Sequence, residues 1–350
     1  MKIHVMDLQP GDMLNKDVFN NYGLHVLSAQ TILNRECIAR LLSHNIDYID
    51  IERSTANVET DRHNNRPFDE TPSLHVSHEA SLSGIRTLFG QSQEDNRIDP
   101  KVVDASFEPL VDCFPSETSL VSLILNLSSD DEYTYQHSVQ VGVLSYYISR
   151  WLGYSEEKAL TAGKAGFLHD IGKSRIDPAI LSKPARLTDE EFEIIKTHPV
   201  HGHQILVEAY GDKSPISLAA LQHHERMDGR GYPKGLTDSQ IDPVAKIVAV
   251  ADIYSAMICS RVYQKEQDML FVLQELHRLS FGEIDPHITQ TFIRNMIPNF
   301  VRKTVILTSG ERGTIVLTNP TDFFRPFIQI DNQFYDLSER QDLVIHKILV

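Results

Sequence analysis

The feature that most constrains the fold is a long central stretch, from Ser116 to Phe300, whose local signals are almost wholly helical. Thr188 and Glu191 have the spacing of a capping box, and Ser214–Pro215 and Asp242–Pro243 have the form of an N-cap followed by proline at the first helical position. So many helix starts predict a bundle of helices. We therefore expect a mainly α protein whose largest domain spans residues 116–300.

The flanking segments have other patterns. Residues 1–52 mix short apolar alternation with one helix predicted near Asn34–His44, which indicates a small N-terminal α+β module. Residues 53–71 contain almost no aliphatic side chains and are predicted to be a polar linker. Residues 72–115 alternate helical stretches with polar breaks and are predicted to form a helical connector. In residues 301–350 the period changes to two in four segments, KTVILTS, GTIVLTN, PFIQID and FYDLS, which are separated by Gly, Asn or Asp turns and predict a small C-terminal β appendage.

The composition excludes several classes of protein. Its 41% hydrophobic and 23% charged residues are typical of a soluble globular protein. Three distant cysteines indicate a reducing cytoplasm, and the N-terminus lacks the apolar run of a secretory signal. The most apolar run, Val244 to Ile258, is too short to span a bilayer. A formal net charge of −15 argues against nucleic-acid binding, so a phosphate-bearing substrate would need local positive charge from metal ions and a few Lys or Arg residues.

The first histidine of interest points inward. His137, Val141, Leu144, Ile148 and Trp151 follow one another at spacings of 4, 3, 4 and 3, which makes one helical stripe. A lone histidine on an apolar face is more often a hydrogen-bonded core residue than a metal ligand. Its role therefore depends on what other ligands the chain supplies.

Further candidate ligands lie at the ends and interruptions of predicted helices. His223 and His224 are adjacent, and adjacent residues on a helix point about 100° apart, so one apolar core cannot bury both rings. Either one ring faces solvent or both converge on something that binds imidazole nitrogen. These candidates are His169, Asp170, His198, His223 and His224.

Asp252 completes the set. It is the only acid between Val244 and Ile258, on a helix that is apolar nearly all round, and a buried carboxylate is costly unless it is paired or bound to metal. Five histidines and two aspartates exceed one tetrahedral zinc site and predict two divalent ions bridged by a shared carboxylate. Because the set has no thiolate, we expect iron or manganese rather than zinc.

The order H…HD…H…HH…D, together with HHERMDGRGYPKGL at residues 223–236, resembles the HD-GYP family of cyclic di-GMP phosphodiesterases. This family is a branch of the HD-domain metal-dependent phosphohydrolases, and the resemblance covers about residues 116–300. It implies an HD-type helical bundle core that hydrolyses a bacterial second messenger, cyclic di-GMP, to linear pGpG, and leaves further hydrolysis to GMP open. Two ions would lower the pKa of a bridging water so that hydroxide forms near neutral pH.

The resemblance also implies roles for individual residues. Asp170 is the expected bridge between the ions, and Lys173 is expected to hold a phosphate oxygen in catalysis. The expected substrate contacts, besides Lys173, are Gly231, Tyr232, Pro233 and Arg261. The implied metal ligands are His137, His169, Asp170, His198, His223, His224 and Asp252.

Residues 1–52 are similar to a small module found on some of these enzymes. The similarity, together with the polar linker, predicts that the module regulates the enzyme or mediates assembly. A homodimer and a signalling-protein partner both stay open.

The sequence departs from the family pattern on the substrate side. Met227 replaces the usual tryptophan of the signature loop, and Ser255, Ser260, Val262 and Gln264 replace residues that in relatives often read Asp, Asp, Pro and a basic residue. Two alternatives therefore stay open. One is a receptor that binds a cyclic dinucleotide with little or no hydrolysis, and the other is an HD phosphohydrolase that acts on another cyclic dinucleotide.

The number of metal ions is a separate prediction. Some family members hold a third ion with a glutamate one helical turn before the first histidine ligand, where this chain has Tyr133. Asp131 or Glu132 would reach the site only from a loop ahead of Thr134, which is a candidate N-cap. We expect two ions and no third.

Overall fold

The computed structural model describes residues 74–113, 133–183, 185–259, 269–319 and 322–349. Of the first 52 residues it describes positions 2–4, 8, 12–16, 18–19, 25–28, 31–33, 37, 41, 46 and 48–52. The chain divides into two compact units, Met1–Asp69 and Glu70–Val350. Within the described ranges, no helix has the length and apolar character needed to cross a membrane.

The first unit contains short antiparallel strands. They are β1 (Lys2–His4), β2 (Met13–Leu14), β3 (Val18–Phe19), β4 (His25–Leu27) and β5 (Tyr48–Glu52). β5 lies between β1 and β2, and β3 pairs with β4. Leu14, Leu33, Leu41 and Ile51 are fully buried, so this unit has its own small core. Most of the helix predicted near Asn34–His44 lies outside the described residues, as does the linker predicted at 53–71.

The second unit is built mainly from helices, which confirms the predicted fold class. They are α1 (Leu74–Asp95), α2 (Pro100–Asp112), α3 (Tyr133–Trp151), α4 (Glu156–Leu168), α5 (Pro178–Leu181), α6 (Asp189–Ile195), α7 (His198–Tyr210), α8 (Pro215–Gln222), α9 (Pro243–Cys259), α10 (Met269–Leu279) and α11 (Pro286–Met296). Short 3-10 helices span Ile171–Arg175, Asp238–Gln240 and Ile297–Phe300.

The predicted helix starts are confirmed. The Thr188 hydroxyl accepts from the Glu191 N–H while the Glu191 carboxylate accepts from the Thr188 N–H, so α6 begins with a complete capping box. Ser214 caps α8 through the Ile216 N–H. At the start of α9 the Asp242 carboxylate accepts from the Val244 N–H.

One predicted cap is wrong. α3 begins at Tyr133, so Thr134 lies inside the helix and does not cap it. The Tyr133 ring stacks on the His137 ring one turn later, with 5.7 Å between centroids, and this contact favours helix at Tyr133. Asp131 and Glu132 lie outside the described residues.

The core of the second unit is continuous. Val141, Leu144, Phe167 and Tyr254 are fully buried where α3, α4 and α9 pack together. The helices of the predicted connector contribute to the same core. Ile85 and Leu88 of α1 and Phe107 and Leu110 of α2 are also fully buried, and the Phe107 ring lies 5.5 Å from that of Phe167.

The C-terminal segment forms a five-stranded antiparallel sheet in the order β10-β6-β7-β8-β9. The strands are β6 (Thr304–Leu307), β7 (Arg312–Leu317), β8 (Phe327–Ile330), β9 (Gln333–Asp336) and β10 (Ile345–Leu349). The sequence predicted the first four strands and missed β10, which pairs with β6 through a register shift at the start of the strand. One face of the sheet packs into the helical core through Val305, Leu307, Ile315 and Ile328.

Candidate metal centre

The seven predicted ligands converge from five parts of the bundle. His137 lies on α3, and Asp252 on α9. Three histidines lie at helix ends. His169 follows the end of α4, His198 begins α7, and His223 follows the end of α8. Asp170 directly precedes the 3-10 helix Ile171–Arg175, and His224 follows His223.

The ligand atoms fall into two groups. One group contains His137, His169 and Asp252, and the other contains Asp170, His198, His223 and His224. Within each group every chosen nitrogen or oxygen lies within 4.8 Å of every other. Two neighbouring clusters of this kind match the two-ion prediction.

Asp170 lies between the two groups. Its Oδ2 is 3.3 Å from His169 Nε2 and 3.9 Å from His137 Nε2, whereas its Oδ1 is 3.2 Å from His198 Nε2 and 3.9 Å from His223 Nε2. One carboxylate therefore presents one oxygen to each histidine pair. This is the geometry that a bridging ligand requires.

Asp252 also faces histidines with both of its oxygens. Its Oδ1 lies 3.0 Å from His137 Nε2 and 3.8 Å from His169 Nε2, and its Oδ2 lies 3.9 Å from His224 Nδ1. Burial raises the pKa of this carboxyl, but the hydrogen bond and charge of His137 outweigh it and hold the pKa far below its usual value. The Asp252 side chain is therefore an anion.

Backbone carbonyls orient three of the rings. His169 Nδ1–H donates to the Gly166 carbonyl at 2.7 Å, and His198 Nδ1–H donates to the Ile195 carbonyl at 2.7 Å. His223 Nδ1–H lies 3.0 Å from the Ala220 carbonyl. A carbonyl can only accept, so Nδ1 carries a proton and Nε2 of each ring is the nitrogen that faces the centre of the site.

A serine and a glutamine orient the fourth ring. The Ser255 hydroxyl donates to Gln140 Oε1 at 2.9 Å, and His137 Nδ1 lies 2.9 Å from the same hydroxyl oxygen. Since the hydroxyl proton is used on Gln140, the oxygen accepts from His137 Nδ1–H. His137 Nε2 therefore faces Asp252 Oδ1 at 3.0 Å and is the ring nitrogen available to a metal.

Two histidines of the second ligand group are neutral, and the carboxylate between the groups is ionised. Burial and the neighbouring rings of His224 and His169 hold the pKa of His223 well below its usual value, and desolvation lowers that of His224 to about 3. Both imidazoles are thus neutral and able to bind metal at neutral pH. Burial raises the pKa of Asp170, but His169 and Lys173 outweigh it, so this carboxyl is also ionised.

Two buried atoms bear directly on the fit of a metal. His169 Nε2 and Asp170 Oδ1 are buried without a hydrogen-bond partner among the described residues, although both are strong polar groups. A divalent ion in each group would satisfy both atoms. The donor set of imidazole nitrogen and carboxylate oxygen also suits iron, manganese or zinc, so the residues present fit two ions.

Lys173 stands at the edge of the centre. Its Nζ lies 2.5 Å from Asp170 Oδ2, and the side chain is 22% exposed. The ammonium therefore reaches both the carboxylate and the open space next to it. Gly172 brings this segment close to α7, since a Cβ there would lie 2.0 Å from the His198 carbonyl oxygen and 2.4 Å from the Gly202 nitrogen.

The signature loop is held by a glutamate that sequence analysis did not single out. Glu225 is buried, and its two carboxylate oxygens accept from the backbone N–H groups of Lys234 at 2.7 Å and Leu236 at 2.8 Å. The backbone of Met227 pairs with Glu283 and Asp238. These bonds fold residues 226–236 back onto the end of α8.

The loop lies directly against the second ligand group. The Tyr232 ring stacks on the His224 ring with 4.6 Å between centroids. The backbone N–H of Tyr232 donates to the His224 carbonyl at 3.2 Å. At Gly231 a Cβ would lie within 2.5 Å of backbone atoms of His224, Glu225 and Arg226, so no other residue fits without moving the loop. The Tyr232 ring thus lies next to the candidate metal centre, and its contact with substrate, like that of Pro233, stays a prediction.

Comparison with known proteins agrees with this geometry. The family described as HD domain matches residues 121–288. This part of the chain is an HD domain. A curated cyclic di-GMP phosphodiesterase of Pseudomonas aeruginosa is 34% identical over 212 residues, which cover 61% of this chain and 51% of that protein. A curated 3′3′-cGAMP-specific phosphodiesterase of Vibrio cholerae is 32% identical over 179 residues, which cover 51% of this chain and 41% of that protein.

A solved structure shares the fold. An HDG"Y"P protein from Bdellovibrio bacteriovorus superposes with a TM-score of 0.51 at 19% identity, over 83% of this chain and 97% of that one. The comparisons confirm the HD-GYP resemblance drawn from the sequence. The matched regions span about half the length of the two curated relatives or less.

Other charged and polar side chains around the site differ in their contacts. The Arg226 guanidinium donates to the carbonyls of His223 and Glu225, so it supports the loop, whereas the Arg230 side chain is 89% exposed. His203 faces Asp212 on the surface of α7. Arg261, predicted to contact substrate, lies outside the described residues.

Sequence analysis missed two supports of the HD domain. Glu225 lies in the signature itself. The signal that could have identified it is a single acid placed between His224 and Arg226. Gln140 carried no local signal, because its role appears only when α9 brings Ser255 next to it.

Proposed function

We propose that the HD domain is a metal-dependent phosphodiesterase that hydrolyses cyclic di-GMP to linear pGpG. The observation that carries this proposal is the placement of Asp170, with one oxygen toward each of two histidine pairs, next to a signature loop that stacks on His224. The proposed metal ligands are the seven residues predicted from the sequence. Two divalent ions, iron or manganese, would activate a water and stabilise negative charge on the attacked phosphate when bound.

The chain itself supplies orientation and charge. The carbonyl-bound rings hold Nε2 inward, so the positions of these nitrogens are set before any ion arrives. In the reaction, a water oxygen bonds to phosphorus and the bond to the 3′ oxygen breaks, leaving a 5′-phosphate and a 3′-hydroxyl. Lys173 places its ammonium where the phosphate becomes more anionic.

The signature loop restricts the substrate. Tyr232 covers His224 on the side of the second ligand group, and the buried carboxylate of Glu225 keeps the loop in place. A diester therefore enters beside this loop and Lys173. This arrangement supports Tyr232, Gly231 and Pro233 as substrate contacts.

A second candidate substrate, 3′3′-cGAMP, has to be compared directly with cyclic di-GMP. One curated relative is named as specific for 3′3′-cGAMP, and the loop of this chain carries Met227 in place of the usual tryptophan. A third candidate, also drawn from the sequence, is a receptor that binds a cyclic dinucleotide with little or no hydrolysis. The complete ligand set favours hydrolysis over a receptor role.

The decisive experiment is anaerobic purification of the full chain with metal analysis, followed by identification of products from cyclic di-GMP, 3′3′-cGAMP and cyclic di-AMP. We expect about two ions per chain and pGpG as the first product. Asp170→Ala is expected to lose both metal and turnover, and Asp212→Ala, which changes an exposed aspartate, is expected to keep both.

Other outcomes have defined meanings. Preference for 3′3′-cGAMP would change the substrate, and bound metal with dinucleotide binding but no product would favour the receptor. Preference for a mononucleotide, or full activity of the Asp170 variant, would overturn the proposal.

A further inference from the structure

A cleft next to the candidate metal centre is not explained by metal binding. Its volume is 620 Å³, and it lies between α1, the first turn of α3, and the segment from Lys173 to Ser182. Clefts of this size bind small organic ligands. All of its described lining residues belong to the second unit.

The charge of the cleft differs from that of the chain. Of the described residues that line it, Arg86 and Lys173 are positively charged and none is negatively charged, although the whole chain has a formal net charge of −15. An anionic ligand is therefore favoured there. Lys173 connects the cleft to the candidate centre, because its Nζ also contacts Asp170.

Tyr133 provides an aromatic surface in this cleft. It lies four residues before His137, and the two rings are stacked with an interplanar angle of 4°. Tyr133 lines the cleft and is 47% exposed, so the contact with His137 leaves much of the side chain accessible. Exposed aromatic rings beside positive charge are the usual means of holding a nucleobase next to its phosphate.

Gly90 leaves space in the cleft for a ligand. It lies inside α1, where glycine costs about 1 kcal/mol relative to alanine, yet a Cβ at this position would meet nothing within 4 Å. Packing therefore does not require glycine here. Gly90 and Gln93 line the same cleft, and Gln93 offers an amide that can hydrogen-bond a base edge.

We infer that this cleft binds one guanine base of the substrate, with Tyr133 as the stacking surface and Lys173 at the phosphate end. The inference deepens the proposed function and rests on it for the identity of the base. It makes α1, a helix of the predicted connector, part of the substrate site. It also gives Tyr133 a role in place of the carboxylate that some family members have there.

Calorimetry on the metal-loaded full chain tests the inference without turnover, with GMP as the probe that carries a base and inorganic phosphate as the probe that lacks one. Tyr133→Ala is expected to weaken GMP binding by about fivefold to a hundredfold, the range for loss of one base stack. Phosphate affinity and metal content are expected to stay unchanged. Tyr133→Phe keeps the ring and is expected to bind GMP like the wild type.

A second variant avoids the neighbourhood of His137. Gly90→Leu should fill the cleft while favouring the α1 helix, so GMP affinity should fall and phosphate affinity should not. Glu94→Leu places the same side chain on an exposed position of α1 that does not line the cleft, and serves as the control. If Tyr133→Ala weakens GMP and phosphate equally, or if Gly90→Leu leaves GMP affinity unchanged, the inference is wrong.

The two proposals fail separately. Hydrolysis of cyclic di-GMP with unaltered GMP affinity in both variants would remove the base site and leave the proposed function. If the wild-type chain does not hydrolyse cyclic di-GMP but both variants lose GMP affinity, the base site stands and the proposed function is wrong.

Discussion

At the residue scale, single hydrogen bonds decide which atoms of the candidate centre face inward. His169, His198 and His223 use carbonyls of the helix that ends just before them or nearby, whereas His137 depends on Ser255 from another helix. Ser255 stands where relatives often have aspartate. A neutral hydroxyl polarises the ring less than a carboxylate does, but it still fixes which nitrogen of His137 faces the ligand group.

Ser255→Ala is therefore expected to lower metal affinity by about 10- to 100-fold, because His137 loses the acceptor that fixes its tautomer. Metal retained after dialysis against a graded chelator measures this. Ser255→Asp restores an acceptor and should bind metal at least as well as the wild type. Ser145→Ala is the control, since the buried Ser145 hydroxyl has no hydrogen-bond partner among the described residues. Equal metal retention in Ser255→Ala and Ser145→Ala would contradict the role of Ser255.

Lys173 differs from the ligands in what its loss should do. Lys173→Ala is expected to keep metal content and to lower kcat by at least about tenfold, because an ammonium that stabilises transition-state charge is removed while the donor atoms stay. Steady-state kinetics and metal analysis on one preparation give both quantities. Lys213→Ala, on an exposed loop position, is the control. An unchanged kcat would remove Lys173 from the reaction.

At the scale of elements, helix ends and short loops place the chemistry. His169, His198 and His223 all lie at helix termini, where the chain changes direction and side chains from different helices can converge. The signature loop depends in turn on Glu225, whose two oxygens accept two backbone N–H groups across the loop. The loop is thus held as one unit by a single buried carboxylate.

Glu225→Gln tests this dependence. The amide keeps one acceptor but turns an NH₂ group toward either Lys234 N–H or Leu236 N–H, which leaves a buried donor unpaired at a cost of about 1–3 kcal/mol. We expect a lower free energy of unfolding and a higher KM, with metal content retained. Glu208→Gln on the exposed face of α7 is the matched control. Denaturant unfolding that is indistinguishable between the two variants would argue against the carboxylate as the anchor.

At the scale of the whole molecule, the structure bears on where the proposed catalytic part begins. We propose that residues 1–52 regulate or assemble the enzyme and that the polar linker at 53–71 connects them to the rest. The first compact unit, Met1–Asp69, has its own core, and α1 and α2 pack into the core of the second unit. The predicted connector is therefore also a structural part of the second unit.

Two truncations separate these roles. A chain starting at residue 70 is expected to fold and hold metal, and a change in its oligomeric state, affinity or rate would measure what the module contributes. A chain starting at residue 116 loses Ile85, Leu88, Phe107 and Leu110, each worth about 1.5–3 kcal/mol of burial. The sum is comparable to the whole stability of a domain, so we expect insoluble protein. A soluble, active chain starting at residue 116 would contradict the shared core.

Local patterns determined much of this protein. Caps and prolines predicted the starts of α6, α8 and α9 because these signals act within one helical turn. The seven candidate ligands were also readable as a set, since an aspartate in an apolar helix is costly unless it is paired or bound to metal, and five histidines accompany it. The signature loop added the family.

Tertiary structure decided the rest, because the deciding contacts join residues far apart in sequence. Ser255 and Gln140 are 115 positions apart and meet only after α3 and α9 pack. β10 was missed because it forms only when the end of the chain pairs with β6. The cleft lined by Gly90, Tyr133 and Lys173 likewise exists only where three distant segments meet, and no local pattern records such a space.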